Sequence, residues 1–342
     1  MVLEEFLDEW HNDNPTVLVH TSGSTGKPKP MWVEKQKMLN SARITCDFLG
    51  LKPGDSALLC MPLDYIAGKM VVVRAIERKL KLVNIAPCGH PMANAEPTTF
   101  AAMVPLQVYN SLQVPEEKQK LMAIRHLIIG GGAIGEEMAA ALKPFPNNVW
   151  STYGMTETLS HIALRRLNGE EASEWYTPFD TVEVSQDEDG CLVINAPLVH
   201  DGVLKTNDRV EMRKDKTTGR QQFRIVGRKD NIIDSGGIKI QIEEVERLLK
   251  PHLSVPFMIT KTPNKKFGEV VVLLCGKPFD GVSSSSSDSM LSEEELRNIC
   301  TKVLPPYWAP KKYVFVDKLP MTETGKPARA EAEPLVRRWL QL

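Results

Sequence analysis

Thr21-Ser-Gly-Ser-Thr-Gly-Lys-Pro-Lys29 gathers four hydroxyls, two glycines and two lysines into nine residues. It follows directly on Val17-Leu-Val-His20, an apolar run that reads as a strand. Glycines let backbone N–H groups approach phosphate oxygens closely, and hydroxyls and lysines add donors and positive charge. The loop is not of the Walker A type, because G-x-x-x-x-G-K-[ST] does not fit it. Clusters of Ser, Gly and Thr are also ordinary turn material. Taken alone, the stretch leaves phosphate binding and a plain polar turn both open.

Working outward, short apolar runs alternate with amphipathic stretches, which predicts an α/β fold. Met38, Ala42, Cys46 and Leu49 recur at helical spacing within residues 35–49. Ser56–Cys60 and Lys81–Ile85 read as strands around a helix near 68–79, and His126–Ile129 as another strand closed by Gly130-Gly131-Gly132. Asn148–Thr152 reads as a strand that gives way to a loop at Tyr153. From about 181 to 226 the strands shorten between turns such as Asp187-Glu-Asp-Gly190, predicting a small antiparallel, sandwich- or barrel-like subdomain. Past Gly227-Arg-Lys-Asp230 come a glycine turn at Gly236-Gly237, a charged helix from about Ile242, two strands, the low-complexity run Ser283–Ser287, a capping box at Ser292-Glu-Glu-Glu295, a last strand near Lys311–Asp317 and a last helix near Ala328–Leu340. The expected division is a large domain over 1–229 and a small α+β domain over 230–342.

The chain has 342 residues, 42 Lys+Arg against 43 Asp+Glu, and six scattered cysteines without a C-x-x-C pair. Balanced charge offers no electrostatic footprint for nucleic acid. No apolar run approaches the ~20 residues of a membrane span, and the acidic start Met-Val-Leu-Glu-Glu-Phe differs from a signal peptide. Disulfide scaffolds and zinc ribbons are disfavoured, and a cytoplasmic location is expected.

Further motifs follow the loop in order: Ile129-Gly-Gly-Gly-Ala-Ile134, Tyr153-Gly-Met-Thr-Glu-Thr158, Thr206-Asn-Asp208, Gly227-Arg-Lys-Asp230 with Ser235-Gly-Gly237, and Leu319-Pro-Met-Thr-Glu-Thr-Gly-Lys-Pro-Ala-Arg329. The set resembles the adenylate-forming superfamily of acyl-CoA synthetases, peptide-synthetase adenylation domains and luciferases. Its loop T-S-G-[ST]-T-G-x-P-K-G is matched except that Pro30 replaces the final glycine. The resemblance implies that Thr21, Ser22, Gly23, Ser24, Thr25, Gly26 and Lys29 hold the β- and γ-phosphates of ATP. It implies that Gly131, Gly132 and Ala133 pack against adenine and that Tyr153 and Gly154 lie beside them. Thr156 would contact the α-phosphate, Glu157 would help hold Mg²⁺, Asp208 would accept from the ribose hydroxyls, and Arg228 would lie near the ribose. Lys326 would be the catalytic lysine. Asp230 would be the hinge on which a mobile C-terminal lid turns, withdrawing Lys326 and bringing the Gly236-Gly237 face, on the coenzyme A side, to the adenylate. Asn207 stands where glycine is usual, a mild departure because Asn tolerates left-handed geometry.

Two departures are larger. The family usually places well over a hundred residues before the phosphate loop, where this chain has twenty, so an absent or reduced N-terminal subdomain is expected and a homodimer is left open. Met61-Pro-Leu-Asp-Tyr-Ile-Ala-Gly68 resembles L-P-L-F-H-x-x-G, with Tyr65 where histidine is common. That segment flanks the acyl site, so Tyr65 and Gly68 are candidate substrate residues. Arg74, six residues further on, sits on a helix rich in valine. An arginine on a helix is ordinarily solvated; its other reading is a partner for a second carboxylate on the acid. The phrases around 20–30 and 61–74 resemble short bacterial o-succinylbenzoate–CoA ligases of menaquinone synthesis. The implied activity is activation of a carboxylic acid as acyl-AMP, then transfer to coenzyme A. Another aryl- or acyl-CoA ligase, an adenylation enzyme loading a carrier-protein thiol, and a nucleotide-binding scaffold without catalysis are the alternatives that the residues leave open.

Overall fold

The computed structural model describes residues 1–20, 30–276, 291–322 and 327–340. The phosphate-loop residues Thr21–Lys29, the serine run and Lys326 therefore lie outside the described residues. The strands Phe100–Met103 and His126–Ile129 are buried at every position, as expected of central strands covered on both faces. They belong to a seven-stranded sheet in the order Lys81–Asn84, Ser56–Leu59, Phe100–Met103, His126–Ile129, Asn148–Gly154, His161–Arg166, Thr177–Pro178. The first five strands pair in parallel, and the last two are added through antiparallel pairings. The order of the parallel strands reverses between Ser56–Leu59 and Phe100–Met103. In open α/β sheets ligands bind outside the carboxyl ends of the strands at such a switch.

The helix Ile66–Arg78 crosses from the first of these strands to its neighbour, and it is buried continuously from Gly68 to Ala75. It is covered by the helix Lys35–Leu49 and by Leu3–His11, an N-terminal helix that the sequence reading did not anticipate. Lys69 shows the contact with that helix: it is 1% exposed, pairs with Glu9 at 3.0 Å and lies 4.8 Å over the Phe6 ring.

Two expectations need correction. Residues 183–228 form one open four-stranded antiparallel sheet, not a sandwich or barrel. Its strands follow one another as neighbours, and Leu192, Ile194, Val210 and Phe223 bury themselves in the core of the large sheet rather than against a second layer. The strand from Asn148 also continues through Tyr153 and Gly154, because both pair with the returning strand His161–Arg166.

Beyond the short turn Lys229–Asn231 a five-stranded sheet builds from Ile232–Ser235, Ile238–Gln241, Phe257–Asn264, Gly268–Gly276 and Lys312–Val316. The first hairpin turns at Gly236 and Gly237, both with positive φ of 63° and 84°, a tight-turn geometry that glycine adopts without strain. Period-2 alternation sends Val271 and Leu273 to one face, under the helices Ile242–Leu249 and Glu293–Val303. It sends Val272 and Leu274 to the other face, under Arg329–Trp339. The capping box forms as read, with Ser292 N–H donating to Glu295 Oε2 at 2.8 Å. Among the described residues no helix is long and apolar enough to cross a membrane.

Candidate active site

A cavity of about 690 Å³ opens at the carboxyl ends of the parallel strands, where Cys60, Met103 and Gly130 end their runs. Of the residues singled out in the sequence, Tyr65, Gly68, Arg74, Gly131, Gly132, Ala133, Gly154 and Thr156 line it. His20, the last described residue before the phosphate loop, also lines it and bridges to Tyr65.

Close backbone approaches shape its walls. A Cβ on Gly68 would lie 2.3 Å from the Pro62 carbonyl oxygen, so only glycine lets the helix start press against the Met61-Pro62 turn. A Cβ on Gly154 would meet the Ser160 carbonyl oxygen at 2.2 Å. Gln107 braces the opposite wall by donating through Nε2 to the carbonyls of Cys60 and Cys88, each at 3.0 Å. Burial pushes the Cys60 thiol up to about 12, so it stays protonated and behaves as a wall residue.

A second group lies beside the cavity. Tyr153 does not line it; the ring is buried edge-on against Phe223, with centroids 5.1 Å apart. Its hydroxyl donates to Asp208 Oδ2 at 2.6 Å. Burial first, and the Asp208 carboxylate second, push this phenol well above its ordinary range. Asp208 and Arg228 are register partners on adjacent strands, with Nη1 3.4 Å from Oδ1. Arg228 donates to Asp230 at 2.9 Å, and Asn207 reaches the same carboxylate at 3.1 Å. Three motifs far apart in sequence thus meet in one polar chain. Glu157 is exposed, and its carboxylate has no partner among the described residues. Gly236 and Gly237 do not line the cavity.

The last motif approaches from the C-terminal side. Pro327 forms part of the cavity wall and bridges to Met321. Arg329 anchors this end through Glu246, at 2.6 and 2.9 Å, and through the Ile259 carbonyl at 3.0 Å.

The model of the family described as AMP-binding enzyme matches residues 4–195. The chain belongs to that family. The model for the AMP-binding enzyme C-terminal domain matches residues 262–326. A solved acyl-CoA synthetase (AMP-forming)/AMP-acid ligase II-like protein from Dyadobacter fermentans is 30% identical, with a TM-score of 0.62 over 94% of this chain and 90% of that one. The 2-succinylbenzoate–CoA ligase of Haemophilus influenzae is 29% identical over 76% of this chain, which spans 59% of that relative's length. The o-succinylbenzoate coenzyme A synthetase of Bacillus subtilis, solved in complex with ATP and magnesium ion, shares the fold at 23% identity. Its TM-score is 0.72, over 91% of this chain and 68% of that one.

Within this AMP-binding enzyme, Arg74 is the residue whose surroundings decide most. It is 1% exposed, which rules out the solvated reading. The same helix buries two cations. Lys69 has a carboxylate partner in Glu9, whereas Arg74 has none among the described residues. Its Nη2 donates to Ser160 Oγ at 2.6 Å and Thr45 Oγ1 at 3.3 Å, while its Nε is buried without a partner among the described residues. Burial pulls the guanidinium down to about 10, so it remains a cation at neutral pH. Thr45, Ser160 and His161 were missed in the sequence. Thr45 carried a usable signal: a hydroxyl on the helix face otherwise marked by Met38, Ala42, Cys46 and Leu49.

Proposed function

We propose that the chain is an ATP-dependent acid–thiol ligase whose acid is an aromatic dicarboxylate of the o-succinylbenzoate type. In the first half-reaction an acid carboxylate oxygen bonds to the α-phosphorus of ATP, and the bond to the β-bridging oxygen breaks with loss of pyrophosphate. In the second, the sulfur of coenzyme A bonds to the acyl carbon, its proton passes to solvent, and AMP leaves with the oxygen it gained. A carboxylate attacking a triphosphate meets like charge. Catalysis therefore depends on positioning and on neutralising donors.

Each assigned residue has a task in this reading. The Thr21–Lys29 donors and Lys326 are assigned to the phosphates, and Thr156, in the cavity wall, to the α-phosphate. Gly131, Gly132, Ala133 and Gly154 leave a flat backbone surface for adenine. Asp208, already accepting from Tyr153, and Arg228 take the ribose. Residues 230–342 act as the lid, with Asp230 as pivot and the Gly236-Gly237 turn on the coenzyme A side. Among the described residues no group of three or more His, Cys, Asp or Glu could cage a metal. A lone exposed carboxylate such as Glu157 suits Mg²⁺ shared with phosphate oxygens, the usual mode for that ion. Bound there, the ion would supply charge neutralisation. The reading places the chain where ATP and coenzyme A are available, with the cytoplasm as the expected location.

The observation that carries the choice of acid is Arg74. A buried cation with no carboxylate partner among the described residues stands in the wall of an otherwise largely apolar cavity, and such a charge calls for an anion. A fatty acid has only the carboxylate that activation consumes, whereas a dicarboxylate activated at one end keeps a charge at the other. The relatives named as 2-succinylbenzoate–CoA ligases support the same class. A panel of mono- and dicarboxylic acids scored for ATP-dependent thioester formation tests it. Preference for o-succinylbenzoate is expected, and preference for benzoate or a fatty acid would overturn the assignment. Glu157→Gln is expected to raise the Mg²⁺ concentration needed for half-maximal rate, since a neutral amide is a weaker ligand for a hard cation. An unchanged Mg²⁺ titration would make Glu157 structural.

A further inference from the structure

What holds Arg74 is a closed ring of neutral groups. The imidazole of His161 lies between the two hydroxyls that Arg74 touches, with Nδ1 3.2 Å from Ser160 Oγ and Nε2 3.1 Å from Thr45 Oγ1. Thr45 Oγ1 is also 3.1 Å from the Ser41 carbonyl. Counting protons selects one arrangement. Thr45 has a single hydroxyl proton, and the Ser41 carbonyl can only accept it. Both lone pairs of Thr45 Oγ1 then receive donors, from Arg74 Nη2 and from an Nε2–H of His161. With its proton on Nε2, the ring accepts at Nδ1 from the Ser160 hydroxyl, and Ser160 keeps its lone pairs for Arg74. Every donor in the ring is used once. The arrangement requires a neutral imidazole, and burial, reinforced by the Arg74 charge, holds His161 well below its ordinary range.

A carboxylate in any of these places would spend the charge of Arg74 inside the protein. Hydroxyls and a neutral ring orient the guanidinium and leave its charge available. They occupy Nη2 only. Among the described residues Nε is buried without a partner, and Nη1 has none either.

We propose that Thr45, Ser160 and His161 are positioning residues that grip Arg74 by Nη2 and leave its other terminal nitrogen, Nη1, for the second carboxylate of the acid. They thereby set the preference for a dicarboxylate. The proposal rests on the dicarboxylate reading above.

The test compares wild type, Thr45→Val, His161→Leu and His161→Gln, each as the full chain. The two acids are o-succinylbenzoate and 4-oxo-4-phenylbutanoate, the same skeleton without the aromatic carboxylate. Thr45→Val and His161→Leu are expected to raise KM for the diacid by about tenfold or more, the worth of a hydrogen bond to a charged group. Values of kcat should stay within about twofold, since the contact serves binding rather than bond-making. The ratio of kcat/KM between the two acids should fall, and His161→Gln, which can still donate and accept, should restore it. Unchanged diacid KM in folded variants, or an equal loss on both acids, would overturn the positioning role while leaving the dicarboxylate reading intact. A wild type that does not prefer the diacid would overturn both. Should His161→Leu fail to fold, Thr45→Val and ¹⁵N NMR of the wild-type imidazole decide. The proton is expected on Nε2 in the protein without substrate, and a proton on Nδ1 would break the ring as drawn.

Discussion

Arg74→Ala is expected to lower kcat/KM for o-succinylbenzoate by ~2–4 kcal/mol, on the order of 10²-fold, through loss of a charge-assisted contact in a desolvated site. The reasoning runs from burial to electrostatics. With the guanidinium gone, the second carboxylate of the acid enters a largely apolar cavity with no cation among the described lining residues to compensate the water it loses. Alanine also removes an uncompensated buried cation, whose own desolvation offsets part of the cost of the new void, so the variant is expected to remain folded. Binding of ATP alone should change little, because no nucleotide motif includes position 74. Discrimination against the analogue lacking the aromatic carboxylate should shrink, which separates loss of a specific contact from general damage. Steady-state kinetics on the two acids, with nucleotide binding followed in parallel, measures all three effects. Intact diacid kinetics in a folded Arg74→Ala protein would assign the guanidinium a structural role.

Lys326→Ala is expected to cost the adenylation half-reaction ~3–4 kcal/mol, or ~10²–10³ in rate, the worth of one preorganised donor to developing charge. Lys326 itself lies outside the described residues. The described residues that follow it in the chain give the expectation its footing. Pro327 stands in the cavity wall, and Arg329, two residues further on, is pinned to Glu246 by a two-point ion pair. In the proposed mechanism the lid swings away on Asp230 before the thiol attacks. Thioester formation from synthetic acyl-adenylate should therefore survive the substitution. Pyrophosphate release and single-turnover acyl transfer distinguish the two steps, and an equal loss in both would remove Lys326 from its assigned role.

What could be read from the sequence divides along physical lines. Strands such as His126–Ile129 and helices such as Lys35–Leu49 announce themselves through composition and period. Phe100–Met103 does not, because Phe-Ala-Ala-Met carries no β-branched residue. It becomes a strand by pairing on both sides within the sheet. The sandwich or barrel expected near 181–226 fails for a related reason. Turn spacing predicts antiparallel neighbours but not what covers their apolar face, and here the large sheet's core covers it. The site motifs are legible as an ordered set, and the cavity gathers several of them. The hydroxyl–imidazole ring around Arg74 is not legible, since its members sit on two helices, a strand and the turn before that strand, up to 116 positions apart, and only tertiary packing brings them together.

The apolar clusters on either side of Arg228 share no residue: one draws on Phe6 to Phe223, the others on Ile233 to Val336. Cooperativity in unfolding requires that losing one set of contacts expose the other, and here the link is mostly polar, through Asn207, Arg228 and Asp230. Heating is therefore expected to melt the chain in two calorimetric steps, with the smaller enthalpy belonging to the C-terminal portion because enthalpy scales with the number of residues ordered. One sharp transition, with calorimetric and van't Hoff enthalpies equal, would mean that the polar link is stronger than its hydrogen bonds suggest. A stabilising substitution in the first portion should move one melting temperature and leave the other where it was.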